Sequence, residues 1–182
     1  EVNPYLFDFI KKTVPIHLDN TWFDGFENIN VEELQRIGYF EILLKIKKVN
    51  KKYRELIKRD FNELVFNYLV GNKKSTIVLS GSLIELLFTY YCEKRKIKNI
   101  SYAIHEKQIS KDLYDCDLLD FLSYFDNEQK AKKVIIHIGH LSRIYRNFIH
   151  PGNEIKNQQQ IDSSKIALCF NAVMEIVKFI FK

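Results

Sequence analysis

The chain has 182 residues, enough for a single domain with a substantial core, and its 14% aromatic content against only six glycines and three prolines favours long helices over many-stranded sheets. A formal charge of +5 suits an acidic partner such as nucleic acid, but the excess is modest for this length. No apolar run approaches ~20 residues without a charge and the N-terminus lacks the basic-then-apolar layout of a secretory signal, which argues against a membrane protein and for a soluble one.

A first segment, residues 4–13, has the spacing of a short amphipathic helix opened by Pro4 and ended by Pro15. Residues 14–29 mix Trp22, Phe23 and Phe26 with Asp19, Asn20, Asp24 and Gly25, and read as an irregular packed arm or an oligomer contact. The domain expectation is therefore an arm over 1–29 and a helical domain over 30–182. Because the chain opens on Glu1, it reads as a piece of a longer protein.

From Asn30, with Glu32 and Glu33 in the first turn, apolar residues recur at helical spacing as far as Gly71, a C-cap; the run predicts two helices or one long bent one, broken near Asn50. Ser75–Lys96 predicts a third long helix in which Gly81 and Ser82 permit close approach and Lys94-Arg95-Lys96 closes the negative end. Residues 99–110 read as loop with a short extended piece. A shorter helix over Leu113–Phe125 with Ser110 as cap, a helix over Glu128–Ile149 stopped by Pro151 and Gly152, and a closing helix capped by Ser163 and Ser164 complete the chain. Cys92, Cys116 and Cys169, each in an apolar helical setting, form no closely spaced pair; their odd number argues against a disulfide framework and for a reducing, cytoplasmic location.

The most informative segment is Leu141-Ser-Arg-Ile-Tyr-Arg-Asn-Phe-Ile-His-Pro-Gly152. Arg143, Arg146 and His150 stand at offsets of three, four and seven, so a helix projects them from one stripe, with Asn147 at its border. A guanidinium that grips phosphate beside an imidazole that moves a proton near neutral pH is the minimum equipment for cutting RNA without a metal. The bland alternative is that these side chains finish the helix: an arginine pairs with Glu85 or Glu154, and Asn147 or His150 caps terminal carbonyls.

Taken in order, the long helix with Val78-Leu-Ser-Gly-Ser-Leu-Ile-Glu-Leu-Leu87, the short Leu-rich helix, the helix ending Arg-Ile-Tyr-Arg-Asn-Phe-Ile-His-Pro-Gly and the closing apolar helix resemble the HEPN superfamily over roughly 75–182. The resemblance implies an all-α, HEPN-like helical bundle, here of five or six main helices, that acts as a homodimer. It also implies a metal-independent endoribonuclease of the toxin–antitoxin and antiviral defence kind, with RNA as substrate, no cofactor, no metal, and an antitoxin or further domains as partners. The family pattern is an arginine, often with a polar follower, then a histidine after four to six positions. Arg146 has the polar follower Asn147 and three residues before His150; Arg143 has six, and is followed by Ile144. The catalytic set implied is Arg143, Arg146, Asn147 and His150. The alternative is a non-catalytic HEPN-like module that binds a protein, RNA or nucleotide within a larger assembly. Silencing by nucleotide transfer to a tyrosine just after the histidine does not fit, because Pro151 and Gly152 stand there and Tyr145 precedes it.

His137 and His140 have the spacing of a metal pair, but no Glu-x-x-His pattern accompanies them, so ordinary histidines are the default. The basic run Lys45, Lys47, Lys48, Lys51, Lys52, Arg54, Lys58 and Arg59 is interleaved with Glu55, Asp60 and Glu63; it reads first as a solvated face and second as a track for an RNA backbone. Glu85 reads as a buried partner for an arginine or a helix terminus.

Overall fold

The computed structural model describes residues 31–104, 107–128, 133–148 and 161–181. Among these the chain is mostly helical, with seven α-helices and one two-stranded hairpin. It divides into two compact units, Glu1–Lys58 and Arg59–Lys182. The expected arm, with its helix over residues 4–13, lies outside the described residues.

In the first unit, α1 (Val31–Arg36) and α2 (Tyr39–Ile46) are followed by the start of α3 (Lys51–Leu69). The expected break near Asn50 is there, and the Asn50 side chain accepts from the N–H of Tyr53 at 3.2 Å to cap α3. A second break, not expected, falls at Gly38, whose φ of 75° is a left-handed conformation that costs a residue with a Cβ ~1–2 kcal/mol. Tyr39, Ile42, Leu43 and Ile46 form the buried stripe of α2, joined in the core by Val49, Tyr53 and Ile57. Arg54 turns back and donates from Nε and Nη2 to the Val49 carbonyl at 3.0 and 2.8 Å, which fixes the corner between α2 and α3.

The second unit is centred on α4 (Lys73–Lys94). Gly71, in the left-handed conformation expected of a C-cap (φ 77°), ends α3, and the N–H of Asn72 returns to the Asn67 carbonyl at 2.8 Å. Ile77, Leu83, Ile84, Leu87 and Phe88 of α4 are buried. They pack against α7 (Ser163–Ile180), α6 (Lys133–Phe148) and α5 (Leu118–Asn127). Tyr68 stacks on Phe170 of α7 at 3.9 Å, and Phe88 meets Phe125 of α5 at 4.7 Å. α4 is long and apolar enough to cross a membrane by composition, but 61% of its apolar window is buried inside the fold, as suits a core helix. On α7, Ile166, Cys169, Phe170, Val173, Ile176, Val177 and Ile180 make the packed face that their spacing predicts.

Four local expectations are corrected. Where a loop with a short extended piece was expected over residues 99–110, the described residues form two full antiparallel strands, β1 (Asn99–Ile104) and β2 (Lys107–Asp112), in register from Asn99↔Asp112 to Ile104↔Lys107. Only Ile100 and Tyr102 are buried along it, an alternation too short to stand out in the sequence. Ser110 is a strand residue bonded to Ser101 at 2.9 Å; a 3-10 turn, Leu113–Asp115, follows with Asp112 as its cap, and α5 begins only at Leu118. The cap of α7 is Asp162, which accepts from the N–H of Lys165 at 2.9 Å, with Ser163 and Ser164 already inside the helix. All three cysteines are free, but Cys116 lies after the 3-10 turn and not in a helix.

The hairpin is held to α5 by a buried polar cluster. Asp120, 2% exposed, accepts from the Tyr102 hydroxyl, from Lys111 Nζ at 2.8 Å and from the N–H of Asp117 at 2.8 Å. Asp117 in turn accepts from the N–H groups of Leu119 and Asp120, a reciprocal capping box. Burial pushes the Asp120 carboxyl up, but the bonds from Lys111, Tyr102 and Asp117 outweigh it and hold the group below the usual carboxylate range.

Candidate functional site

α6 carries the site because its sequence gives it one small and apolar face. Ile135, Ile136, Gly139 and Ser142 are buried along it. Gly139 is where α5 comes nearest: a Cβ there would stand 2.4 Å from Leu122 Cδ2.

Arg143, Arg146 and Asn147 are all on α6, as expected. The side chains of Arg146 and Asn147 lie outside the described residues, as do all of His150, Pro151 and Gly152. Arg143 is therefore the one residue of the set whose side chain can be examined. It is half-buried, and its Nε is buried with no hydrogen-bond partner among the described residues. A guanidinium donor taken out of water without an acceptor costs about 1–3 kcal/mol.

One turn before it stands His140, also half-buried. Burial lowers its pKa from the ordinary value, the Arg143 charge and His137 lower it further, and Asp126 at the end of α5 opposes them. The ring is accordingly neutral at pH 7, able to accept a proton or a hydrogen bond. On the other flank of Arg143, Ser142 is wholly buried and faces Cys169 of α7. Burial pushes that thiol up to about 11 and the serine hydroxyl works against it, yet the hydroxyl oxygen finds no partner at hydrogen-bond distance. Chemically, this part of α6 offers a cation with a spare donor beside a neutral imidazole: a grip for an anion next to a group that can take a proton.

Glu85 meets one of the roles expected of it, at a helix terminus: its Oε1 accepts from the N–H of Leu118 at 3.0 Å, at the start of α5. Among the described residues, no three His, Cys, Asp or Glu side chains gather as a metal site requires. His137 is exposed and His140 half-buried. Asp126 and Cys169 reach this region by packing from α5 and α7, which no linear spacing encodes, whereas Ser142 stands inside the motif and only its burial marks it.

No family model, no curated protein and no solved structure matches this chain. The functional reading therefore rests on the residues themselves.

Proposed function

We propose that the chain is a HEPN-type, metal-independent endoribonuclease, a cytoplasmic toxin or antiviral defence effector that cuts single-stranded RNA as a homodimer. The observation that supports the reading is the buried Nε of Arg143, unpartnered among the described residues, on the same helix as Arg146 and Asn147 and one turn from an imidazole whose pKa is lowered. A structural arginine would satisfy its donors within the fold. A phosphate-gripping one keeps a donor in reserve.

In this reading two copies bring their α6 motifs together around one phosphate. His150 serves as general acid or base as the RNA 2′-hydroxyl attacks phosphorus, the bond to the 5′-oxygen breaks, and a 2′,3′-cyclic phosphate and a 5′-hydroxyl end remain. Arg143 or Arg146 holds the added negative charge of the pentacoordinate transition state, and Asn147 orients the histidine or a phosphate oxygen. DNA, which lacks the 2′-hydroxyl, is not cut.

The test is cleavage of an end-labelled mixed-sequence RNA in EDTA by the full chain and by His150→Ala, with folding and oligomeric state matched. Cyclic-phosphate ends that vanish in the variant support the nuclease. A folded dimer that cuts nothing sinks it. The second reading, a non-catalytic HEPN-like binding module, is favoured by one observation, the three-residue spacing between Arg146 and His150, and takes its place in that case.

A further inference from the structure

The positive charge of this chain is not spread over it. Residues 45–58, at the corner of α2 and α3, hold seven lysines and arginines against Glu55 alone, a local charge of +6, so that all the other residues together carry −1 of the total of +5. Not all seven cations are available. Arg54 is committed to the Val49 carbonyl, and Lys45 and Lys58 are half-buried. Lys47, Lys48 and Lys51 are exposed, and their ammonium groups make no ion pair or hydrogen bond among the described residues. They stand within five residues of one another, a span of at most ~18 Å even for extended chain. Lys51 also sits in the first turn of α3, which contains no acidic residue, so its charge faces the positive end of a helix. A solvated surface built for stability alone would carry an acid there.

The chemistry of the partner follows from what surrounds these lysines. Single-stranded nucleic acid is gripped by aromatic rings on which bases stack. The only aromatic of residues 45–58 is Tyr53, and it is 3% exposed. What remains is Coulombic contact with phosphates, and a duplex presents them most densely, one charge per ~1.7 Å of axis. An anionic bilayer fits less well, because interfacial helices insert an apolar face. The apolar face of α2, namely Tyr39, Ile42, Leu43 and Ile46, is buried in the fold, leaving only Leu44 and Leu56 partly exposed as single side chains.

We infer that Lys47, Lys48 and Lys51 form a sequence-independent docking surface for the phosphate backbone of duplex nucleic acid. The inference does not rest on the nuclease reading, and a DNA duplex tests it without any cleavage.

The experiment is fluorescence anisotropy of a labelled 20-base-pair DNA duplex with the full chain across 50–200 mM salt. It compares wild type, K47Q/K48Q/K51Q, and K94Q/K96Q/K98Q, which loses the same charge at exposed sites elsewhere; helical content by circular dichroism checks that all three fold. Each phosphate contact adds ~0.9 to the slope of log affinity against log salt, so the corner variant should lose ~2.7 of slope, and with it about 40-fold of salt sensitivity over that range. The control variant should keep its slope. Equal losses in the two variants, or no wild-type binding at 50 mM salt, overturn the inference. So does binding to phosphatidylserine-containing vesicles that the corner variant loses while duplex binding is unchanged.

Discussion

The carboxylate of Glu85, midway along α4, accepts a hydrogen bond from the backbone N–H of Leu118 at 3.0 Å, and so ties the central helix to the N-terminus of α5. A helix start exposes N–H groups that no turn of its own satisfies, and here one of them is met across the core. Glu85→Ala should destabilise the protein by about 1–2 kcal/mol, the usual cost of losing a helix cap. Glu85→Gln keeps an acceptor but loses the charge that favours the helix dipole, and should cost less. Urea denaturation of both variants checks the order; an Ala variant as stable as wild type would show the contact to be incidental.

The Asp120 cluster predicts a pH dependence with a definite sign. Its carboxyl titrates lower in the folded chain than the ordinary value near 3.9. The stability it contributes is therefore whole above that ordinary value and is lost as pH falls through the lower folded one. Asp120→Asn should cost about 1.5–3 kcal/mol at pH 7, because hydrogen bonds to a charged acceptor are lost from Tyr102 and Lys111. The deficit against wild type should shrink below pH 4. Thermal melts of both proteins between pH 7 and pH 3 read it directly, and a gap that widens in acid would contradict the assignment.

Gly139 has no room for a methyl group while Leu122 keeps its rotamer. Gly139→Ala gains about 1 kcal/mol in helix propensity but forces a buried leucine to move, and overpacking of this kind typically costs ~1–3 kcal/mol. The net effect should be a small loss of stability. In a Leu122→Ala background the clash is gone, and the same substitution should become stabilising. A double-mutant cycle followed by urea denaturation measures the change of sign.

Helices and core faces were legible because their signal is periodic and long. The buried positions of α7 and the left-handed Gly71 follow from spacing and residue type alone. What was missed lies at short range or between elements. The hairpin offers only Ile100 and Tyr102 as buried alternation among its described residues, and the caps fall on aspartates and not on the expected serines: Asp162 one residue before Ser163, and Asp112 and Asp117 two and seven residues after Ser110. The break at Gly38 sits inside an unbroken apolar pattern, which periodicity reads as continuous helix. At the candidate site, the sequence set the order of Arg143, Arg146 and Asn147 on one helix, but the buried state of Arg143 Nε comes from packing, and the lowered pKa of His140 from its depth of burial first and then from Arg143 and His137, against Asp126 of α5.

That unpartnered donor separates a structural arginine from a functional one. If Arg143 served the fold, Arg143→Met would lower stability. The geometry predicts the reverse: replacing a buried donor that has no acceptor among the described residues with an apolar chain of similar reach should leave the melting temperature unchanged or raise it, with up to about 1–3 kcal/mol recovered. If the proposed nuclease activity is present, RNA cleavage should fall at the same time by ~10²–10³-fold, as when a group that stabilises transition-state charge is removed. Arg143→Lys, which keeps the charge but not the planar fork, should recover only part of that activity. Melting temperature and cleavage rate measured on the same preparations decide the matter, since a site that trades stability for activity moves the two in opposite directions, and a structural site lowers both.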